Sequence, residues 1–426
     1  MRWLSVALCA LVLAAAGGAS GQPASTLRVG TTGDYSPFSV ARGSADADLE
    51  GFDVAVARAY AKERGIALEF VRFRWPDLVA ALGAGHFDVA MAGVTVRPER
   101  SAAGRFTVPV VESGAVLLVR QPVRWSEPEH LDRPGIRIGV NAGGHLQRVA
   151  EARFSRAVLV AIPDNGAVLR ALLDQNLHAA VSDTLEVPNW QRGTEGLAVI
   201  GPFTRDRKAY LVRPDRSGLA SDLDAWLLAR ERDGTLAGLR REHLVGATSP
   251  AVATPLGSLL AALDERLSLM PLVGVAKRKS GRPLEVPERE ALVLDAAVAG
   301  VHSAADRTGN APPPDAAVRA FFRAQMEAAK EVQWEAVQDL GYRPPEPLPD
   351  FDAGLRPGLL RIGDRIAELL LVLPPQSDAD RVRIATRDAL HAPYLSQRSA
   401  RVLADAIVAV ANAPRAPSQP DGQPDR

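Results

Sequence analysis

The pattern of apolar residues changes once along this chain, near Pro255, and that change limits what the chain can fold into. Before it, short apolar runs alternate with stretches of helical spacing. Strands are expected at Leu27–Val29, Leu68–Phe73, Val89–Ala92, Arg137–Val140, Val158–Ile162 and Ala179–Ser182. Helices are expected between them, at Phe52–Arg64, Trp75–Gly83, Gly144–Arg153 and Val168–Gln175. Such alternation implies α/β units on parallel sheets. Glycines and polar residues cluster just past the strand ends, where these sheets place ligands. After Pro255 the alternation stops. Helical stretches follow at Leu256–Lys279, Arg289–Arg307, Asp315–Leu340 and Ala353–Leu371, with a fifth, broken one over Ala379–Ala413. Prolines at 312–314, 344–349 and 374–375 separate them, so this half reads as an all-α bundle.

At 426 residues the chain is too long for one ordinary core. Fifty basic side chains balance fifty acidic ones, which argues against nucleic acid or an anionic membrane as the main partner. Residues 1–20 read as a signal peptide: Arg2, an apolar run from Leu4 to Ala16 too short to span a bilayer, then small residues at Gly17–Ser20. The protein is therefore expected in the periplasm or secreted. Cys9, the one cysteine, lies in that leader, so the mature chain has no disulfide, thiol nucleophile or thiolate metal ligand. The remaining boundaries fall at 26–245 for the α/β half, 246–254 for a linker of small residues, 255–413 for the helical half and 415–426 for a Pro- and Gln-rich disordered tail.

The α/β half carries a series of motifs. They are Gly30-Thr31-Thr32-Gly33-Asp34-Tyr35-Ser36-Pro37-Phe38, Gly51-Phe52-Asp53-Val54, Trp75-Pro76-Asp77-Leu78, Phe87-Asp88-Val89-Ala90, Gly93-Val94-Thr95-Val96-Arg97-Pro98-Glu99-Arg100 and Phe106-Thr107-Val108-Pro109. A glycine-rich turn after a strand lets a ligand approach backbone N–H groups. Arg100 can grip a carboxylate through two parallel hydrogen bonds, against a bland reading as a surface ion pair. Tyr35 and Trp75 can wall a ring, although core packing explains Trp75 equally well. In order and spacing the series resembles family 3 periplasmic solute-binding proteins, which implies a two-lobed α/β fold and makes Tyr35, Trp75, Thr95 and Arg100 substrate-binding candidates.

Further along stand Asn141-Ala142-Gly143-Gly144-His145, Pro163-Asp164-Asn165, Ser182-Asp183-Thr184-Leu185-Glu186-Val187 and Arg207-Lys208-Ala209-Tyr210-Leu211. These resemble cyclohexadienyl dehydratases, enzymes on this fold that turn prephenate into phenylpyruvate and arogenate into phenylalanine. The reaction expels carbon dioxide and a ring hydroxyl, and hydroxide leaves only if an acid protonates it. The resemblance implies Glu186 as that acid. It gives Asn141 and Lys208 the orienting of substrate and of Glu186, and Asp183 the grip on an amino group. His145 and Arg97 depart from the usual Thr at their positions.

The helical half contains Asp264-Glu265-Arg266-Leu267, Val275-Ala276-Lys277, Glu288-Arg289-Glu290, Phe321-Phe322, Gln325, Ala328, Lys330, Gln333 and Leu355-Arg356-Pro357. Arg266 and Lys277 are about three helical turns apart and share a face. Taken singly, each charge reads as solvated surface. As a set they resemble the secreted, all-helical AroQ-class chorismate mutases. That implies Arg266, Arg289 and Arg356 on the carboxylates of chorismate, Lys277 and Gln333 on its ether oxygen, and Glu290 on its ring hydroxyl. Val286 and Ala329 depart from the acidic residue and the hydroxyl found there in some relatives. The rearrangement is pericyclic, so a site that holds the compact conformer and stabilises charge on the breaking ether suffices.

The expected whole is an α/β two-lobed binding-protein fold followed by an all-helical chorismate mutase domain, catalysing consecutive steps from chorismate to phenylpyruvate. No cofactor, metal, nucleic acid or membrane is called for; small-molecule substrates are the partners, and a homo-oligomer is left open. The alternative is an amino-acid or prephenate binding protein fused to a mutase.

Overall fold

The computed structural model describes residues 26–43, 45–244 and 252–415. The expected leader with Cys9, most of the expected linker and the tail beyond Arg415 lie outside the described residues. Arg415 itself donates to the carbonyls of Leu370 (2.9 Å) and Leu373 (3.0 Å) at the end of a helix. Arg415, the first residue of the segment expected to be disordered, is therefore held in place.

Two five-stranded sheets form two lobes. The first orders its strands Ala67–Arg72, Thr26–Thr31, Val89–Ala90, Leu211–Val212, Arg105–Phe106. The second orders them Val158–Ile162, Arg137–Asn141, Ala179–Asp183, Ala115–Arg120, Leu197–Ile200. The expected strands pair in parallel, as the α/β rhythm implies. The sheets as wholes are mixed, which corrects the expectation of parallel ones: the strands Ala115–Arg120 and Leu211–Val212 add antiparallel. Both follow a crossing between lobes, so each enters its sheet against the direction of the βαβ units. The crossings pair with each other as a small two-stranded hinge, Val111–Ser113 against Asp206–Lys208.

The helical half follows local signals. Thr254 caps the helix Pro255–Ser268 by accepting from Gly257 N (3.1 Å), with Pro255 at the first position. That helix stops at Ser268 because Pro271 lacks a donor, and a second runs Met270–Lys279. Leu269 between them keeps helical dihedrals (φ −78°, ψ −22°), so the spacing from Arg266 to Lys277 survives the break. Pro287–Thr308 ends on Gly309 in the left-handed conformation (φ 70°). Asp315–Gln338, Arg356–Val372, Ala379–Ala389 and Gln397–Asn412 complete the bundle. The last pair resolves the expected broken helix.

The first lobe and the helical half share one continuous apolar core, from Val29 and Trp226 through Leu263 and Ile366 to Ile407. The second lobe has its own cores, around Val140 and Val181 and around Leu118 and Trp190. The seam of the shared core is polar and buried. Arg361 donates to the carbonyls of Ala102 (3.0 Å) and Ser101 (3.2 Å) at the end of the helix Pro98–Ala103. Arg365 donates to Phe106 O (2.6 Å) and pairs with Glu265, both side chains 4% exposed. Removing one partner of a buried ion pair strands the other charge. Arg365→Met is therefore expected to destabilise the protein by about 3–5 kcal/mol. An unchanged urea midpoint, followed by far-ultraviolet circular dichroism, would contradict this.

Candidate active sites

The lobes face each other across a cleft. Its wall includes Tyr35, Trp75, Thr95 and Arg100 from the first lobe, Asn141, His145 and Asn165 from the second, and Lys208 from the hinge. The lobes touch around it: Asn189 Nδ2 donates to Ser36 Oγ at 3.0 Å, and Pro76 packs so closely on Gly143 that a side chain there would clash. Gly143 also has φ 76°, so glycine is required twice over.

The sequence candidates converge here. Arg100 is buried, donates to Thr95 O (2.9 Å) and lies 5.5 Å over the Trp75 ring. Burial, then the nearby Arg148 charge, pulls its guanidinium down to about 10. An anion entering the cleft would relieve that penalty. Trp75 stands edge-on to Tyr35 at 6.0 Å, so it is wall and packing residue at once. Lys208 Nζ reaches Thr95 Oγ1 (3.0 Å), Tyr35 OH (3.1 Å) and Asp183 Oδ2 (3.3 Å). Asp183 also receives the Tyr35 hydroxyl and the backbone N–H groups of Leu185 (2.9 Å) and Glu186 (3.0 Å). The carboxylate expected to grip an amino group is thus engaged by Lys208, whose ammonium supplies the positive charge. Asn141 lines the wall and makes one long contact, Nδ2 to Ile162 O at 3.4 Å.

Glu186 is 1% exposed and sits one side chain behind the wall. Asn165, in the wall, donates to its Oε1 at 2.5 Å, and Ser182 Oγ donates to Oε2 at 2.8 Å. Burial, followed by the neighbouring Asp183 charge, pushes the Glu186 carboxyl well above the ordinary carboxylate range. The two hydrogen bonds and Lys208 oppose this more weakly. Asn165 and Ser182 lie within the sequence motifs but outside the set of expected site residues. The signal for Asn165 was its place at a helix start just past a strand end, beside the cap Asp164. His145 Nε2 stands 3.0 Å from Asp206, with its own pKa lowered by burial. Arg97 is buried beside Glu99 and is pulled down by burial and by the charges of Arg100 and Arg148.

In the helical half, Lys277 Nζ donates to Gln333 Oε1 at 3.0 Å and to Leu284 O at 2.9 Å. Burial and the charge of Arg289 lower the Lys277 pKa. Gln333 Nε2 in turn donates to Ala329 O (3.2 Å) and meets Met270 Sδ (3.4 Å). Arg266 is sunk in the bundle, donates to Leu359 O at 3.0 Å and is drawn down to about 10 by burial. Its Nε has no hydrogen-bond partner among the described residues. Of the six candidates, Lys277 and Gln333 therefore meet, and Arg266 lies in the same bundle on its own contact with Leu359. Arg289 and Arg356 are exposed. Arg356 lies 4.0 Å from Asp352, which Arg282 holds with two bonds (2.6 and 3.0 Å). Glu290 pairs with Lys330 at 3.1 Å. Arg282 was not among the sequence candidates, because an exposed arginine outside any motif carries no signal of its own.

Comparison with known proteins agrees with both halves. Residues 27–246 match the model for bacterial extracellular solute-binding proteins, family 3, and residues 257–334 match chorismate mutase type II. A cyclohexadienyl dehydratase of Pseudomonas aeruginosa is 32% identical over 222 residues, which is 51% of this chain and 81% of that protein. An arginine-binding protein of an Escherichia coli ABC transporter is 26% identical over 234 residues, 54% of this chain and 93% of the other. Among solved structures, an ancestral amino acid-binding protein described as a precursor of cyclohexadienyl dehydratase is 28% identical, with a TM-score of 0.49, over 51% of this chain and 95% of that one. The chain belongs to family 3 of the bacterial extracellular solute-binding proteins and carries a type II chorismate mutase domain behind that fold.

Proposed function

We propose that this protein is a bifunctional enzyme of phenylalanine biosynthesis. Its helical half rearranges chorismate to prephenate, and its cleft converts prephenate to phenylpyruvate, with arogenate to phenylalanine as the parallel reaction. The observation that carries the second activity is the Glu186 carboxyl, buried behind the wall of a cationic cleft with its pKa pushed by burial well above the ordinary carboxylate range. The dehydratase of Pseudomonas aeruginosa supports the same reading.

The chemistry follows from the residues. Arg100 and Lys208 bring positive charge to the cleft, which suits the two carboxylates of prephenate. Asn165 donates to Oε1 of Glu186, and the proton is carried on Oε2, which also accepts from Ser182 Oγ. As the ring carboxylate leaves as carbon dioxide, its electron pair enters the ring. The ring C–O bond breaks as Asn165 turns aside from the carboxyl behind it, and the departing hydroxyl takes the Glu186 proton and leaves as water. One proton is consumed per turnover and returns to Glu186 from solvent. Lobe closure excludes water and keeps the acid neutral. In the helical half, Lys277 keeps a third N–H for the ether oxygen as its bond to carbon breaks, and Gln333 adds one by turning it from Ala329 O or Met270 Sδ. Arg266 meets one carboxylate, while the exposed Arg289 and Arg356 meet the other.

Because Gln333 is neutral, the mutase rate is expected to stay flat from about pH 6 to 8; a steep fall over that range would count against its role. We place the protein outside the cytoplasm, on its leader-like start and its solute-binding family. Among the described residues no helix is long and apolar enough to cross a membrane. The binding-protein alternative separates cleanly. Purified protein given prephenate should yield phenylpyruvate over many turnovers, whereas stoichiometric binding without product would establish a binder.

A further inference from the structure

The helical half does not merely follow the lobed half; it holds the lobed half's hinge. The chain passes between lobes on two strands, Val111–Ser113 and Asp206–Lys208. Side chains alternate along a strand, so neighbours point to opposite faces. Lys208 enters the cleft, where it meets Tyr35, Thr95 and Asp183. Arg207 turns the other way, into the helical half. Its Nη1 lies 2.6 Å from Asp264 Oδ2, and its Nη2 donates to Ala389 O at 2.5 Å. Arg205 adds a bond to Asp388 O at 3.0 Å. Asp264 is itself fixed, since its Oδ1 accepts from His391 N (2.6 Å) and Ala392 N (2.9 Å). The pair is mostly withdrawn from solvent, with side chains 14% and 12% exposed.

The helix Pro255–Ser268 is the shared wall. Ala261, Asp264, Glu265 and Ser268, spaced as one helical face, border the hinge side. Arg266 looks into the bundle toward Leu359. The helical half is bonded to the first lobe through the shared core. It is therefore a fixed body against which the hinge strand is pinned.

We propose that Asp264, a residue of the mutase half, is a positioning residue for the dehydratase reaction. Through Arg207 it sets the register of the strand Asp206–Lys208, and with it the place of Lys208 in the cleft. This rests on the dehydratase reading of the cleft. A hinge strand free to shift would carry the Lys208 ammonium away from Tyr35 and Thr95, and small misplacements of a substrate-holding group cost rate steeply.

The test uses the full chain, with prephenate and chorismate assayed separately. Arg207→Gln and Asp264→Asn remove the charge pair from either side; Asp264→Asn keeps the oxygen that accepts from His391 and Ala392. Each variant is expected to raise the prephenate KM and lower dehydratase kcat/KM about tenfold. The double variant should be no worse than either single one, and chorismate turnover should stay within about twofold. Unchanged prephenate kinetics, or losses that multiply in the double variant, would overturn the proposal. So would a fall in kcat alone that tracks a lower unfolding midpoint, the mark of a merely structural contact. Wild-type protein that never turns over prephenate would instead fail the reading of the cleft itself.

Discussion

Glu186→Gln is expected to lower prephenate turnover by roughly 10³-fold, because a well-placed general acid contributes about 10²–10⁴. Glutamine keeps the size of the side chain and can still meet Asn165 and Ser182, but it has no proton to give. Prephenate affinity should change little, since Arg100 and Lys208 remain. Chorismate turnover in the same protein should not change at all. The pH dependence follows from the direction of the shift. Glu186 must be protonated to act, and burial raises its pKa well above the ordinary range. Dehydratase activity should therefore persist where a solvated glutamate would already be ionised. It should decline only as pH rises through the raised value. The residual rate of the glutamine variant should lack that decline. Full activity in this variant would remove Glu186 from the mechanism.

Lys277→Ala is expected to cost the mutase about 10²–10³-fold, the usual effect of deleting one donor aimed at developing negative charge. The prephenate reaction should be untouched. Gln333→Glu gives the sharper reading, because Lys277 Nζ lies 3.0 Å from the Gln333 side chain. A glutamate there would be held ionised by that ammonium and would offer no N–H. Only its acid form can donate, so the variant should gain activity as pH falls, while the wild type stays flat. A variant as active and as flat as the wild type would show that Gln333 does not touch the ether oxygen.

Much of the architecture was legible because it rests on local pattern. The helix Phe52–Arg64 and the strand Val158–Ile162 lie where apolar spacing puts them, and the texture change at Pro255 marks the start of the bundle. The strands Ala115–Arg120 and Leu211–Val212 were not foreseen. They are laid down after interlobe crossings, and their antiparallel pairing depends on where the chain returns from, which local periodicity does not encode. The site was legible to the same degree. Arg100, Trp75 and Lys208 sit in motifs and share the wall of the cleft, and Lys277 and Gln333 meet each other in the helical half. Glu186 was read as an acid facing substrate, yet it stands behind Asn165, and no spacing rule predicts which of two polar side chains forms the wall. The pairing of Asp183 with Lys208 likewise joins residues from opposite sides of a crossing. The hold of Asp264 on Arg207 joins the two halves of the chain, and no motif within either half could reveal it.

The central claim is that one chain performs two consecutive reactions, the second written first in the sequence. Incubating the full-length protein with chorismate and following each species over time tests it most directly. The account predicts that chorismate disappears, prephenate rises and then falls, and phenylpyruvate accumulates to match the chorismate consumed. With Glu186→Gln, the course should halt at prephenate. Wild-type protein that consumes chorismate but leaves prephenate as the end product would contradict the account.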